Sequence, residues 1–185
     1  MSGYTREEIV AAIRQATGHD GGKPVSQRLV ERGATLSACG RYRYEMTRRW
    51  GDGPLLEWVL LNPSMADTKV DDPSTLKCCR FADDWGFHGI RVTNLFAWRS
   101  PHPDDLLDAD DPVGPRNRRF LTVECGPLTV VGWGTHPAVA RGARAISVLD
   151  RRAALVCLGY NRDGSPKHPL YMPRDTEPQP WPKPD

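Results

Sequence analysis

The sequence predicts an α/β protein with a mainly parallel sheet, and three observations support this class. Four strand-length apolar segments alternate with segments of helical spacing, an order that implies right-handed crossovers between parallel strands. The segment 55–61 is almost continuously apolar, as is typical of a strand buried on both faces. A length of 185 residues, with 39% hydrophobic and 26% charged residues, suits one globular domain. We therefore expect a three-layer α/β/α sandwich around a central, mainly parallel four-stranded sheet.

The elements before the first buried strand are predicted to lie at the periphery. Thr5 and Glu8 have the spacing of a capping box, and the apolar residues after them predict a helix from Arg6 to Ala16. The segment from Thr35 to Arg49 includes the alternation of a half-exposed strand. A turn at 51–54 follows, so we expect this region to form a hairpin with the strand after it.

The strands of the main sheet are predicted from apolar runs at 55–61, 90–96, 128–134 and 153–158. Helices are predicted between them at 72–85, 114–123 and 137–149. Asp72-Pro73-Ser74 opens the first of these helices and Gly86 ends it. The chain is thereby divided into an N-terminal helix and linker, a single α/β domain and a loosely attached Pro-rich tail, at 1–22, 23–172 and 173–185.

Polar side chains follow each of the four strands, at the edge where open parallel sheets bind ligands. Asn62 ends the first strand, Asn94 the second and Trp133 the third, while His168 follows the fourth. Two carboxamides and a histidine suit a planar, amide-like ligand, because an asparagine offers an adjacent donor and acceptor as a base edge does. Aromatic rings stack on flat bases, and Trp98, Trp133 and Tyr171 are candidates. The sequence thus predicts a nucleobase pocket, with further binding candidates at Pro63, Ser64, Asp67, Asp71, Arg99 and Leu170.

Each of these residues also has a purely structural interpretation. Asn62 precedes a proline and Asn94 ends a strand, so the first suits a turn and the second suits pairing with backbone groups. His136 suits the cap of the helix after it, and the acidic run 104–111 suits a solvated loop. Asp72 is either a helix cap, a metal ligand or a general base.

Composition adds few constraints on partners. A net charge of +2, from 25 basic and 23 acidic residues, neither indicates nor excludes nucleic-acid binding. The five cysteines form no C-x-x-C pair, so we expect reduced thiols, no metal ligation and no cofactor. The charged start of the chain and the absence of a run of roughly 20 apolar residues predict a cytoplasmic protein without a membrane segment.

The order of these motifs is similar to that of the uracil-DNA glycosylase superfamily, whose members share a parallel four-stranded α/β/α fold. The resemblance extends over 55–171. Leu61-Asn62-Pro63-Ser64 resembles the loop after the first strand in that superfamily, and Thr93-Asn94-Leu95 resembles the end of its second strand. Val130-Val131-Gly132-Trp133-Gly134 resembles the end of its third strand, and His168-Pro169-Leu170 its late histidine loop.

The sequence resembles more closely a bacterial and phage family known only as a domain of unknown function. The segments that carry this likeness include 42–44, 61–67, 71–73, 94–97 and 168–171. Because that family implies no activity, it adds no mechanism to the prediction.

The superfamily resemblance implies a role for each matching residue. Asn62 would position or polarise the attacking water, and Asn94 would bind the edge of the base. His168 would donate a hydrogen bond to the base oxygen as negative charge develops there. Leu170 and Tyr171 would occupy the space left by an extruded base.

These roles predict a DNA glycosylase-like N-glycosidase that acts on an unusual or modified nucleobase, with DNA or a nucleotide as its partner. Two alternatives stay open. One is an enzyme for free nucleotides or nucleosides in which Asp71 and Asp72 hold a metal or act as base. The other is a non-catalytic module that binds nucleic acid or a modified base. Asp67, Asp71 and Asp72 place negative charge beside the pocket, which is unfavourable for a phosphate backbone.

Overall fold

The computed structural model describes residues 5–18, 31–64, 70–124, 126–149 and 155–182. These residues form a seven-stranded mixed sheet in the order β1-β2-β4-β3-β5-β6-β7. The strands are β1 Glu31–Leu36, β2 Arg43–Arg49, β3 Leu56–Leu60, β4 Gly89–Asn94, β5 Thr129–Val131, β6 Leu155–Cys157 and β7 Gln179–Pro180. The predicted α/β class is confirmed, although the sheet has seven strands where the sequence predicts four.

The four strands predicted from apolar runs form the parallel centre of this sheet. β3 pairs in parallel with β4 on one side and with β5 on the other, and β5 pairs in parallel with β6. Parallel strands need long crossovers, and the helices that follow β3, β4 and β5 provide them. All four strands therefore end at the same edge of the sheet.

Antiparallel strands flank this centre on both sides. β2 pairs with β1 and with β4, so the prediction that it forms a hairpin with the strand after the 51–54 turn is wrong. Alternation along β2 indicates a strand but does not specify its neighbour, since pairing is decided by long-range packing.

The Pro-rich segment after Tyr171 is not loose where the structure describes it. β7 pairs antiparallel with β6, and the Trp181 backbone N–H donates to the Leu155 carbonyl at 3.0 Å. The Tyr160 hydroxyl donates to the Pro180 carbonyl. Proline fits here because an edge strand leaves one side of its backbone without ladder bonds.

The helices are α1 Arg6–Thr17, α2 Pro73–Asp84, α3 Asp105–Asp108, α4 Asn117–Thr122 and α5 Ala143–Leu149, with 3₁₀ turns at Pro137–Gly142 and Pro169–Tyr171. The predicted capping box of α1 is present, and Asp72 caps α2 through its side chain. α3 lies in the acidic run that the sequence predicts to be a solvated loop. No helix among the described residues is long and apolar enough to span a membrane.

Helices cover both faces of the sheet, because the side chains of β3 alternate between two cores. Leu56, Trp58 and Leu60 point to one face, where they belong to the same buried cluster as residues of α1 and α2. Val59 and Leu61 point to the other face and join residues of α3, α4 and α5. Burial on both faces explains why β3 is apolar along its whole length.

Candidate functional site

A cavity of about 620 Å³ lies at the carboxyl ends of the parallel strands. Asn62 enters it from the segment after β3, Asn94 from the end of β4 and Trp133 from the segment after β5. His168 enters it from the loop that follows β6. The cavity therefore occupies the position at which open α/β sheets bind their ligands. Its volume lies within the range of about 300–1,000 Å³ that small-molecule sites occupy.

The structure brings most of the predicted site residues together. Those that line the cavity are Asn62, Ser64, Asp72, Asn94, Trp133, His168, Leu170 and Tyr171. Those that do not line it are Pro63, Asp71, Trp98 and Arg99. Asp67 lies outside the described residues.

The carboxamide of Asn62 is held in one orientation. Its Nδ2 donates to the carbonyls of Ser100, at 3.0 Å, and of Pro63, at 3.3 Å. The Ser100 backbone N–H in turn donates to the Pro63 carbonyl at 3.0 Å. Its Oδ1 accepts no hydrogen bond from the described residues. This fixed oxygen is available to a water molecule or a ligand.

The side chain of Asn94 is buried without a polar partner. Only 1% of the residue is exposed, and its side chain forms no hydrogen bond with the described part of the chain. Its backbone carbonyl accepts from Nδ2 of Asn117 at 2.9 Å, so the strand end that carries it is anchored. A buried donor without a partner costs about 1–3 kcal/mol, which a ligand in the cavity would recover.

His168 presents a ring nitrogen to the cavity as a donor. Its Nδ1 accepts from the Leu170 backbone N–H at 3.3 Å, so the neutral ring carries its proton on Nε2. Nε2 has no hydrogen bond to any described residue. Burial lowers the pKa of His168 from its ordinary value of 6.5, while the negative charge of Asp72 opposes part of this change. The imidazole is therefore neutral at pH 7.

Two glycines after β5 allow the His168 loop to approach the sheet. A Cβ on Gly132 would lie 2.9 Å from Cδ of Pro169 and 3.2 Å from the Lys167 carbonyl. Gly134 has φ +76°, and its N–H donates to the Pro166 carbonyl at 2.9 Å. The segment after β5 thus forms the support on which the loop rests.

Asp72 acts as a helix cap at the cavity wall. Its Oδ1 accepts from the Thr75 backbone N–H at 2.7 Å, and its Oδ2 accepts from the Ser64 hydroxyl. Burial alone would raise the pKa of Asp72, but the hydrogen bonds from Ser64 and Thr75, helped by the charge of Arg43, bring it below its ordinary value. Asp72 is therefore an anion at neutral pH whose two oxygens are both engaged.

The predicted residues outside the cavity have structural contacts. Asp71 forms ion pairs with Arg48, at 2.7 Å, and with Arg32, at 2.9 Å. Trp98 packs edge-on against Tyr42, with ring centroids 5.6 Å apart.

Arg99 and Pro63 also contact backbone rather than the cavity. Nη1 of Arg99 donates to the Gly40 carbonyl at 3.0 Å. Pro63 is buried and contributes its carbonyl to the hydrogen bonds that hold Asn62. Both residues thus support the neighbouring loops.

Arg43 lines the cavity although the sequence gives no indication of it. The residue lies on β2, only 3% of it is exposed, and its charge acts on Asp72. It reaches the cavity because β2 pairs with β4, which the sequence does not predict. Local alternation assigns it merely to a half-exposed strand.

His136 also lines the cavity, and its contacts match its structural interpretation. Its Nδ1 accepts from the Ala138 backbone N–H at 3.2 Å and caps the 3₁₀ turn that follows. Its Nε2 lies 3.0 Å from the Asp104 carboxylate. The two nitrogens are therefore both engaged, unlike those of His168.

Two apolar side chains project at the edge of the cavity. Leu170 is 37% exposed and Tyr171 is 81% exposed, and both lie in the 3₁₀ turn after His168. The ring centroids of His168 and Tyr171 are 6.0 Å apart. Large apolar groups exposed beside a polar cavity are typical of a binding surface.

The fold and the cavity define an α/β protein with a polar ligand site at the carboxyl edge of its parallel strands. The chain belongs to the family described as "Protein of unknown function (DUF1643)", whose sequence profile matches residues 43–170. That match confirms the closer of the two resemblances and includes nearly all the residues that line the cavity. It does not connect the chain to the uracil-DNA glycosylase superfamily, so that resemblance stays a prediction. A search of curated proteins finds no match.

Proposed function

We propose that the protein is an N-glycosidase that releases an unusual or modified nucleobase from DNA, on a fold of the uracil-DNA glycosylase type. The observation that carries this proposal is that three side chains with unengaged polar atoms line one cavity. These are Oδ1 of Asn62, the carboxamide of Asn94 and Nε2 of His168. They provide an acceptor for water, an edge for a base and a donor for a base oxygen.

The reaction breaks the bond between the sugar C1′ and the base nitrogen. The electron pair of this bond passes to the base, and the sugar becomes cation-like. Water adds its oxygen to C1′ and loses a proton, which neutralises the released base. The site therefore needs donors directed at the base more than a strong nucleophile.

His168 suits the role of that donor because its ring is neutral. Burial keeps the pKa of His168 low, and its Nε2–H is the remaining donor of the ring. A donor fixed in a partly buried site stabilises developing negative charge without reorganisation. Asn62, held through its Nδ2, would use Oδ1 to accept a hydrogen bond from the water.

DNA is favoured as substrate by the surface beside the cavity. Leu170 and Tyr171 are exposed where an extruded base would leave a gap in the stack. The contacts of the aspartates do not favour the alternative that uses them for a metal or as base. Asp71 is paired with two arginines, and Asp72 has both oxygens engaged.

The test is release of free base from DNA strands that carry modified pyrimidines, measured by mass spectrometry. Removal of one donor to a developing charge costs about 10²–10³ in rate, so we expect losses of that order in Asn62→Ala and His168→Gln. His88→Gln is the matched control, because His88 precedes β4 and lies at the opposite edge of the sheet. Binding of the base without release from any strand would instead indicate a non-catalytic module.

A further inference from the structure

The carboxamide of Asn94 is free to adopt either of its two orientations. Neither Nδ2 nor Oδ1 forms a hydrogen bond with a described residue. Asn62 differs, because Ser100 and Pro63 fix its Nδ2. The oxygen and the NH₂ group of an amide are nearly equal in size, so a half-turn of the Asn94 amide exchanges donor and acceptor without a steric cost.

These two orientations match two kinds of base edge. One pairs with an edge that has a ring N–H and a carbonyl oxygen, as in uracil-type bases. The other pairs with an edge that has a ring nitrogen acceptor and an amino group, as in cytosine-type bases. Asn94 therefore forms two hydrogen bonds with either kind and does not distinguish between them.

His168 does not have this freedom. The Leu170 N–H occupies its Nδ1, so its neutral ring offers a donor and no acceptor to the cavity. That donor needs a carbonyl oxygen on the base. Uracil-type and cytosine-type pyrimidines share a carbonyl beside the glycosidic nitrogen, whereas adenine has none.

We infer that the cavity accepts uracil-type and cytosine-type pyrimidines alike and rejects adenine. This inference rests on the proposed function, because it assumes that the cavity holds a base. Selectivity then lies with His168 and the carbonyl it contacts, and Asn94 contributes affinity to both pyrimidines. Substituents on the pyrimidine ring outside these edges do not alter the pattern.

The test uses the full chain with Asn62→Ala, which keeps Asn94 and His168 but slows release. Its affinity is measured for single-stranded DNAs that differ at one position, which is deoxyuridine, deoxycytidine or deoxyadenosine. We expect the two pyrimidine strands to bind within about tenfold of each other, and the adenine strand at least tenfold more weakly than both. Asn94→Leu, added to this variant, weakens both pyrimidine complexes by similar factors.

Several results would overturn the inference. A 100-fold preference for one pyrimidine would show that the Asn94 amide is held, although a glycosidase for that base would still stand. Equal binding of all three strands would remove any role of His168 in selectivity, and base release by the unmodified protein would then decide the proposed function. No binding of any strand, together with no base release, would overturn both proposals.

Discussion

At the scale of single residues, the three polar side chains of the cavity differ in how firmly their neighbours hold them. Asn62 and His168 each have one atom engaged by the backbone, at Ser100 and Leu170. Asn94 has neither side-chain atom engaged by a described residue. The two held groups suit chemistry at a fixed point, where misplacement is costly, and the unheld group suits recognition.

The protonation of His168 gives a prediction at this scale. Its pKa should lie below 6.5, because burial disfavours the charged ring. Asp72→Asn should lower it further, since the substitution removes the charge that opposes this shift while an asparagine still caps α2. The measurement is a titration of the imidazole signals by NMR. A pKa above 6.5, or a rise in Asp72→Asn, would contradict the prediction.

The same shift fixes the sign of a pH effect. The unfolded chain binds a proton at this ring more readily than the folded one, so stability present above about pH 6.5 is lost as the pH falls. The proposed base release should also decline on this acidic side, because the protonated ring lies next to groups arranged for a neutral one. His168→Gln should remove this part of both dependences.

At the scale of elements, the candidate site depends on contact between the segment after β5 and the His168 loop. Gly132→Ala places a methyl group 2.9 Å from Pro169 and 3.2 Å from the Lys167 carbonyl, so the loop must move. We expect a stability loss of about 1–3 kcal/mol, as for other overpacked sites. Base binding should fall at least tenfold, because His168 moves with its loop.

Chemical denaturation and the DNA-binding assay measure these two effects separately. Gly142→Ala is a useful comparison, because its added Cβ also meets a neighbour, Phe96, at 3.1 Å, but outside the His168 loop. If Gly132→Ala bound the pyrimidine strands as tightly as Gly142→Ala does, the loop contact would not position His168.

The elements that the sequence predicts correctly are those whose signals are local. The capping box of α1, the Asp72 cap of α2 and the apolar runs of the parallel strands each depend on residues close in the chain. The meeting of Asn62, Asn94 and His168 follows from those strands, because parallel strands end at one edge.

The features that the sequence does not predict depend on pairing between distant segments. Arg43 enters the cavity only because β2 lies beside β4, and Asn62 is held only because the segment around Ser100 folds back onto it. Alternation and composition describe one segment at a time, so they identify a strand without identifying its partner. Asp71 shows the reverse case, since its position suits a site but its arginine partners lie in β1 and β2.

At the scale of the whole molecule, the chain end completes the wall of the cavity from behind. Trp181 packs edge-on against Trp133, with ring centroids 5.0 Å apart, and Trp133 lines the cavity. Trp181→Ala should lower the free energy of unfolding by about 2 kcal/mol, less than the 3–5 kcal/mol of a fully buried tryptophan. It should also weaken base binding, because Trp133 loses its support.

The effect of Trp181→Ala is measured by urea denaturation and by the DNA-binding assay. Trp181→Phe keeps an aromatic partner for Trp133 and should retain most of both properties. Equal stability of the alanine variant and the unmodified chain would mean that β7 and its tryptophan contribute nothing to the domain.

The order of segments along the chain has a consequence for biosynthesis. β6 obtains its antiparallel neighbour only from β7, which follows it by about twenty residues. At about 5–20 residues per second, a ribosome needs about 1–4 s to make that interval. During this time β6 presents an open hydrogen-bonding edge, the kind of surface on which nascent chains associate with one another. Polysomes that carry chains halted between these two strands are therefore where aggregation of this protein should begin.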